Sequence, residues 1–109
     1  MKRGTTPTLK INIQKISIND IDHIDFVFKE ALIESAPTII TRSYPKDVSY
    51  DESENVLLMP FTEEETRLFS NSIIYMDTRI VTNDGKIPAT NIARLKVCAT
   101  LFDEVDNCD

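Results

Sequence analysis

The turn Asn83-Asp84-Gly85-Lys86 separates two arms dense in β-branched and aromatic residues. Ile73-Ile74-Tyr75-Met76-Asp77-Thr78-Arg79-Ile80-Val81 precedes it, and Leu95-Lys96-Val97-Cys98-Ala99-Thr100-Leu101 follows. Asp-Gly places a residue that takes positive φ at no steric cost between two strand-forming runs, which is the strongest short-range hairpin signal a sequence carries. The chain is therefore expected to be organised on a long hairpin in an all-β fold.

Other strands read from a period of two. Leu9, Ile11 and Ile13 alternate in the first, and Ile24, Phe26 and Phe28 fill one face of the second, His23–Lys29. Asn19 and Asp20 favour a turn between them that tucks the nearby isoleucines inward. Lys29-Glu30-Ala31-Leu32-Ile33-Glu34 is too short for a helix before Pro37 and reads as a connection. Thr38-Ile39-Ile40-Thr41-Arg42-Ser43, stopped by Tyr44-Pro45, is a third strand suited to a sheet edge. Val48 and Tyr50 flank a brief strand that turns at Asp51-Glu52-Ser53-Glu54-Asn55 into Val56-Leu57-Leu58-Met59, a second hairpin.

Thr62-Glu63-Glu64-Glu65 has the form of a capping box, so one helical turn is expected, with Leu68 and Phe69 closing it onto the core. About seven short strands with turns roughly every 8 to 12 residues predict an antiparallel, immunoglobulin-like β-sandwich with one short helical turn. The likeness is architectural only, because the core Trp and inter-sheet cysteine pair of antibody domains are missing. The expected core is Leu9, Ile11, Ile13, Ile24, Phe26, Phe28, Leu58, Ile74, Met76, Ile80, Val97 and Ala99. At 109 residues the chain is expected to be a single domain over 1–102, with 103–109 an acidic, frayed tail.

A net charge of −6 with scattered Lys and Arg argues against nucleic acid and anionic membranes as partners. Lys2-Arg3, the only adjacent basic pair, reads as a solvated end. No apolar run reaches the roughly 20 residues of a membrane span, and no continuous apolar stretch of a signal peptide follows the basic start. Cys98 in a strand and Cys108 near the end form no disulfide framework, and a reduced cytoplasmic site of synthesis fits.

The candidate chemistry is sparse. His23 lies between Asp22 and Asp25 without a nucleophile or metal partner in its sequence neighbourhood, and alternation turns it to solvent, away from Phe26. Asp51-Glu52-Ser53-Glu54-Asn55 has the alternate oxygens of a calcium loop, but Val56 and Thr62 stand where such a loop needs Gly and a bidentate Glu. Glu63-Glu64-Glu65 reads as helix capping before it reads as a docking patch. The residues suggest no cofactor, metal or catalytic set.

Three segments resemble, in order and spacing, a family of small proteins encoded in tail-gene regions of phages and prophages of Gram-positive bacteria. They are Lys2-Arg3-Gly4-Thr5-Thr6-Pro7-Thr8, Leu57-Leu58-Met59-Pro60-Phe61-Thr62-Glu63-Glu64-Glu65-Thr66 and Met76-Asp77-Thr78-Arg79-Ile80-Val81-Thr82-Asn83-Asp84-Gly85. The chain departs from the family in Pro60-Phe61, where a Leu usually precedes the Thr, and in a longer third strand. The resemblance implies an immunoglobulin-like module of a baseplate or receptor-binding assembly, with no catalytic residues to carry over. It also implies tail or baseplate proteins as partners, and residence in the host cytoplasm during assembly and then in the particle.

A small-ligand or carbohydrate-binding domain and a hydrolase stay open as other classes. The uncharged start of the third strand is the expected contact. An open sandwich leaves unpaired backbone groups at its rims, so Thr38, Ile39, Ile40, Thr41 and Arg42 are predicted to mediate a homo-oligomer or a strand-addition contact.

Overall fold

A computed structural model of the protein describes residues 1–12, 17–70, 72–88 and 90–97. Among them are seven strands: β1 (Thr8–Asn12), β2 (Ile21–Lys29), β3 (Ile40–Tyr44), β4 (Ser49–Asp51), β5 (Val56–Pro60), β6 (Ile73–Thr82) and β7 (Thr90–Lys96). A 3₁₀ turn at Ile18–Asp20 precedes β2, and a short helix α1 (Glu63–Arg67) joins β5 to β6. Two antiparallel sheets result, in the orders β1-β5-β4 and β3-β2-β6-β7. Both sheets contribute to one apolar core, as a sandwich requires. In immunoglobulin constant domains the second strand lies in the sheet of the first, fourth and fifth. Here β2 sits between β3 and β6, so the likeness is one of layers and not of strand order.

Ile24, Phe26 and Phe28 have no exposed surface, which is the face their alternation predicts. Ile21 has the opposite parity and is also buried, because the β2–β6 register slips between Ile21 and His23. That bulge turns both isoleucines inward and lengthens the strand beyond the expected start at His23.

The expectation of Leu58 as a core residue is corrected: Leu57 and Met59 have 0% exposure, and Leu58 is half-buried on the other face. An unbroken apolar run carries no parity, and the partner strand sets it. Leu9 lies opposite Met59 and Ile11 opposite Leu57, so the side that receives β1's alternating residues also receives these two. Leu9, Ile11 and Ile80 pack against the core while half-buried. Ile13 and Ala99 lie outside the described residues, as do Cys98, Cys108 and the tail 103–109.

The long hairpin forms with a different second arm. β7 begins at Thr90, well before the expected Leu95, and pairs from Arg79↔Thr90 to Ile73↔Lys96. The turn is as expected: Gly85 has φ +80 and donates its N–H to Thr82 O at 2.9 Å. Lys86, Ile87 and Pro88 then form a loop before the strand resumes. β3 also shifts, to Ile40–Tyr44.

One end of the sandwich is closed by three rings. Phe28 of β2, Phe61 after β5 and Phe69 after α1 meet with centroids 5.6, 6.1 and 6.4 Å apart, two of the three pairs edge-on. Leu68, expected beside Phe69 in the core, is 55% exposed. The capping box is present in full. Thr62 Oγ1 accepts from Glu65 N–H at 3.2 Å, and Glu65 Oε1 accepts from Thr62 N–H at 2.8 Å.

The amino-terminal segment lies over this helix, which corrects the reading of Lys2-Arg3 as a solvated end. Arg3 donates from Nε to Phe69 O and from Nη2 to Ser70 O, satisfying carbonyls just past α1. Gly4 N–H donates to Thr66 Oγ1 at 2.9 Å, and Phe61 N–H donates to Pro7 O at 2.9 Å.

Candidate protein-binding face

Because β2, β6 and β7 each bury one face, their other side chains share the outer face of the four-stranded sheet. The register aligns Thr41, Val27, Asp77 and Ile92 in one row across β3, β2, β6 and β7. Lys29, Tyr75 and Arg94 form the neighbouring row. The β2–β3 connection rises beside them and leaves a groove of about 520 Å³ walled by Ala31, Leu32, Ile33 and Glu34 and floored by Val27, Tyr75, Asp77 and Ile92. Leu32, Ile33 and Ile92 are 62%, 61% and 53% exposed, so these apolar side chains cluster in water on one face.

The groove's polar groups are unevenly satisfied. Lys29 Nζ donates to Glu34 O at 2.8 Å, which draws its ammonium to the rim. Among the described residues no ion pair reaches the carboxylates of Asp77 and Glu34, and Arg94 makes none either.

Beside the groove, Asp25 is the hub of a polar cluster. Its Oδ1 accepts from Ser43 Oγ at 3.2 Å, its Oδ2 accepts from Arg79 Nη2 at 3.2 Å, and His23 Nε2 lies 3.5 Å from Oδ2. His23 Nδ1 is 2.7 Å from Asp22 Oδ2, and the His23 side chain is 40% exposed. A nucleophilic triad needs the imidazole between the hydroxyl and the acid. Here the acid separates them, so His23 has no route to the Ser43 proton.

The five residues predicted as a contact separate in space. Thr38 is exposed and lines the groove. Ile39 is half-buried, and its N–H donates to Phe28 O at 2.8 Å, although Phe28 already pairs with Ile40. Two residues thus oppose one, the count of a bulge. Ile40 is 7% exposed and belongs to the core, while Thr41 is exposed.

Arg42 turns inward. It pairs with Glu65, its guanidinium lies 5.5 Å from the Phe61 ring centroid, and its side chain is 15% exposed. Burial pushes the Glu65 carboxyl up, but the Thr62 N–H bond and the bond and charge of Arg42 outweigh it. Glu65 therefore lies below its ordinary 4.5.

The β3 edge is also capped by its own chain. Arg42 Nη1 donates to Thr41 O at 3.2 Å, Ser43 N–H donates to Asp47 Oδ2 at 3.0 Å, and Asp47 N–H donates to Ser43 O at 2.7 Å. A strand adding to this edge would have to displace each of these partners.

The Asp51 loop is likewise internally occupied. Asp51 Oδ1 accepts from Ser53 N–H at 3.0 Å, Ser53 Oγ at 2.7 Å and Glu54 N–H at 3.4 Å. The Ser53 hydroxyl bond is foremost in holding Asp51 below its ordinary pKa. Among the described residues no cluster of His, Cys, Asp and Glu is arranged to hold a metal, and no helix is long and apolar enough to cross a membrane.

Comparisons with family models, with curated proteins and with solved structures gave no match to this chain.

The groove was missed in the sequence because its residues come from three places that look unremarkable alone. Leu32 and Ile33 sit in a connection, and Ile92 precedes the expected start of its strand. Apolar residues in an exposed connection were the available signal.

Proposed function

We propose that this chain is a non-enzymatic structural or assembly module of a phage or prophage tail or baseplate, and that it works by holding other proteins. The observation that carries the reading is the outer face of the four-stranded sheet, where Leu32, Ile33 and Ile92 are each more than half exposed around one groove. Such clustering on a rigid sheet is characteristic of surfaces that dock a partner.

The tail setting rests on the three resembling segments. Two of them form one joint here, since Gly4 of the first donates to Thr66 of the second. In the third, Arg79 pairs with Asp25 and Gly85 makes the turn. On this reading the chain is made in the host cytoplasm and ends in the particle.

The test is quantitative mass spectrometry of particles purified after induction of the phage or prophage that encodes the chain. A constant ratio of this chain to the tail proteins is expected. Recovery only in the soluble lysate, with none in tail-containing fractions, overturns the reading.

A further inference from the structure

The outer face also constrains what it can hold. Capping of Thr41 O, Ser43 N–H and Ser43 O leaves little of the β3 edge for an added strand, which turns attention from that edge to the sheet face beside it. There, Asp77 stands between Val27 and Ile92 in one row, a carboxylate between two apolar side chains. Among the described residues Lys29 is the cation that lines the groove, with its ammonium bonded to Glu34 O, and Arg94 stands in the neighbouring row; neither forms an ion pair with the Asp77 or Glu34 carboxylate. The chain as a whole carries −6, which adds to a field that attracts positive charge.

We propose that this groove takes a segment of a partner protein in which a lysine or arginine is flanked by apolar residues. The cation sits on Asp77 while the flanking side chains cover Leu32, Ile33 and Ile92. The inference rests on the assembly reading above and gives its contact surface. A guanidinium or ammonium buried against Asp77 forms a charge-assisted bond that water no longer screens, and the apolar neighbours supply the desolvation. An acidic segment would meet the Asp77 and Glu34 carboxylates, which no ion pair reaches among the described residues.

The probe is a random peptide library selected on the full wild-type chain. Enriched peptides are expected to carry Arg or Lys between apolar residues. Their binding should weaken by about tenfold in Asp77→Asn and in Ile92→Ser, and stay unchanged in Lys10→Ala on the opposite sheet. Asp77 and Ile92 are exposed, so neither variant removes a core contact. Selection on Asp77→Lys should turn the consensus acidic. A consensus without a cation, binding insensitive to Asp77→Asn, or a selection that enriches no peptide overturns the proposal. If the chain sits in tail particles and the library fails, only this inference falls. If basic, apolar peptides bind but the chain is absent from tails, the assembly setting falls instead.

Discussion

Gly4 donates its backbone N–H to the Thr66 hydroxyl at 2.9 Å, joining positions 62 residues apart in a contact from which Thr66 has no exposed surface. The same hydroxyl lies 3.2 Å from Thr5 O and 3.0 Å from Glu63 O, so it accepts from one segment and donates within the joint. A Thr that follows a helix-capping box thereby fixes the amino-terminal segment across the end of the sandwich.

Replacing Thr66 by valine keeps the shape and removes the hydroxyl, leaving the Gly4 N–H without its acceptor in a partly buried site. A loss of about 1–3 kcal/mol is expected in urea unfolding, with Thr66→Ser close to wild type. Loss in Thr66→Ser with Thr66→Val close to wild type would mean that the methyl group, and not the hydrogen bond, holds the joint.

Glu65 makes the capping box and pairs with Arg42, and these contacts hold its folded pKa below 4.5. The unfolded state therefore binds the proton more readily. The stability from this group is fully present above about pH 4.5 and disappears as pH falls through the lower, folded value. Glu65→Gln should cost stability at neutral pH and flatten the decline between neutral and acid pH. Chemical denaturation of both proteins across that range checks the sign, and an unchanged slope would remove Glu65 from the account.

Phe28 touches both Phe61 and Phe69 and has no exposed surface. Phe28→Ala should cost about 3–5 kcal/mol, a large share of the roughly 5–15 kcal/mol that stabilises a domain. Thermal unfolding measures it, and a cost under about 1 kcal/mol would contradict a packed aromatic end.

Gly85 has φ +80, and a Cβ built there meets nothing within 4 Å. Gly85→Ala should then cost only the backbone strain of a left-handed residue, about 1–2 kcal/mol, with the fold unchanged by circular dichroism.

The features read correctly from sequence were local or periodic. The Asp84-Gly85 turn, the Thr62–Glu65 box and the Ile24, Phe26, Phe28 face each depend on a few consecutive residues. Burial of Leu57 and Met59 in place of Leu58 was not readable from an unbroken apolar run, because the choice lies in the pairing with Leu9 and Ile11. The start of β7 was hidden by Pro88 and by a loop of unpredictable length. The register across β6 and β7 then decides that Ile92 faces Asp77 on the outer side. Arg42 shares the inward face of Ile40 by alternation, and the partner that holds its guanidinium there is Glu65, 23 residues later. Long-range pairing supplied what local pattern could not, and the candidate face depends on it almost entirely.

The most direct measurement is photo-cross-linking in purified particles, with a benzophenone amino acid in place of Ile92 on the proposed face and, separately, in place of Leu58 on the outer side of the other sheet. Cross-links from position 92 to a tail or baseplate protein, and few from position 58, are the expected result. Cross-links from position 58 with none from position 92 would contradict the proposed face, and absence of the chain from the particles would contradict its place in the tail.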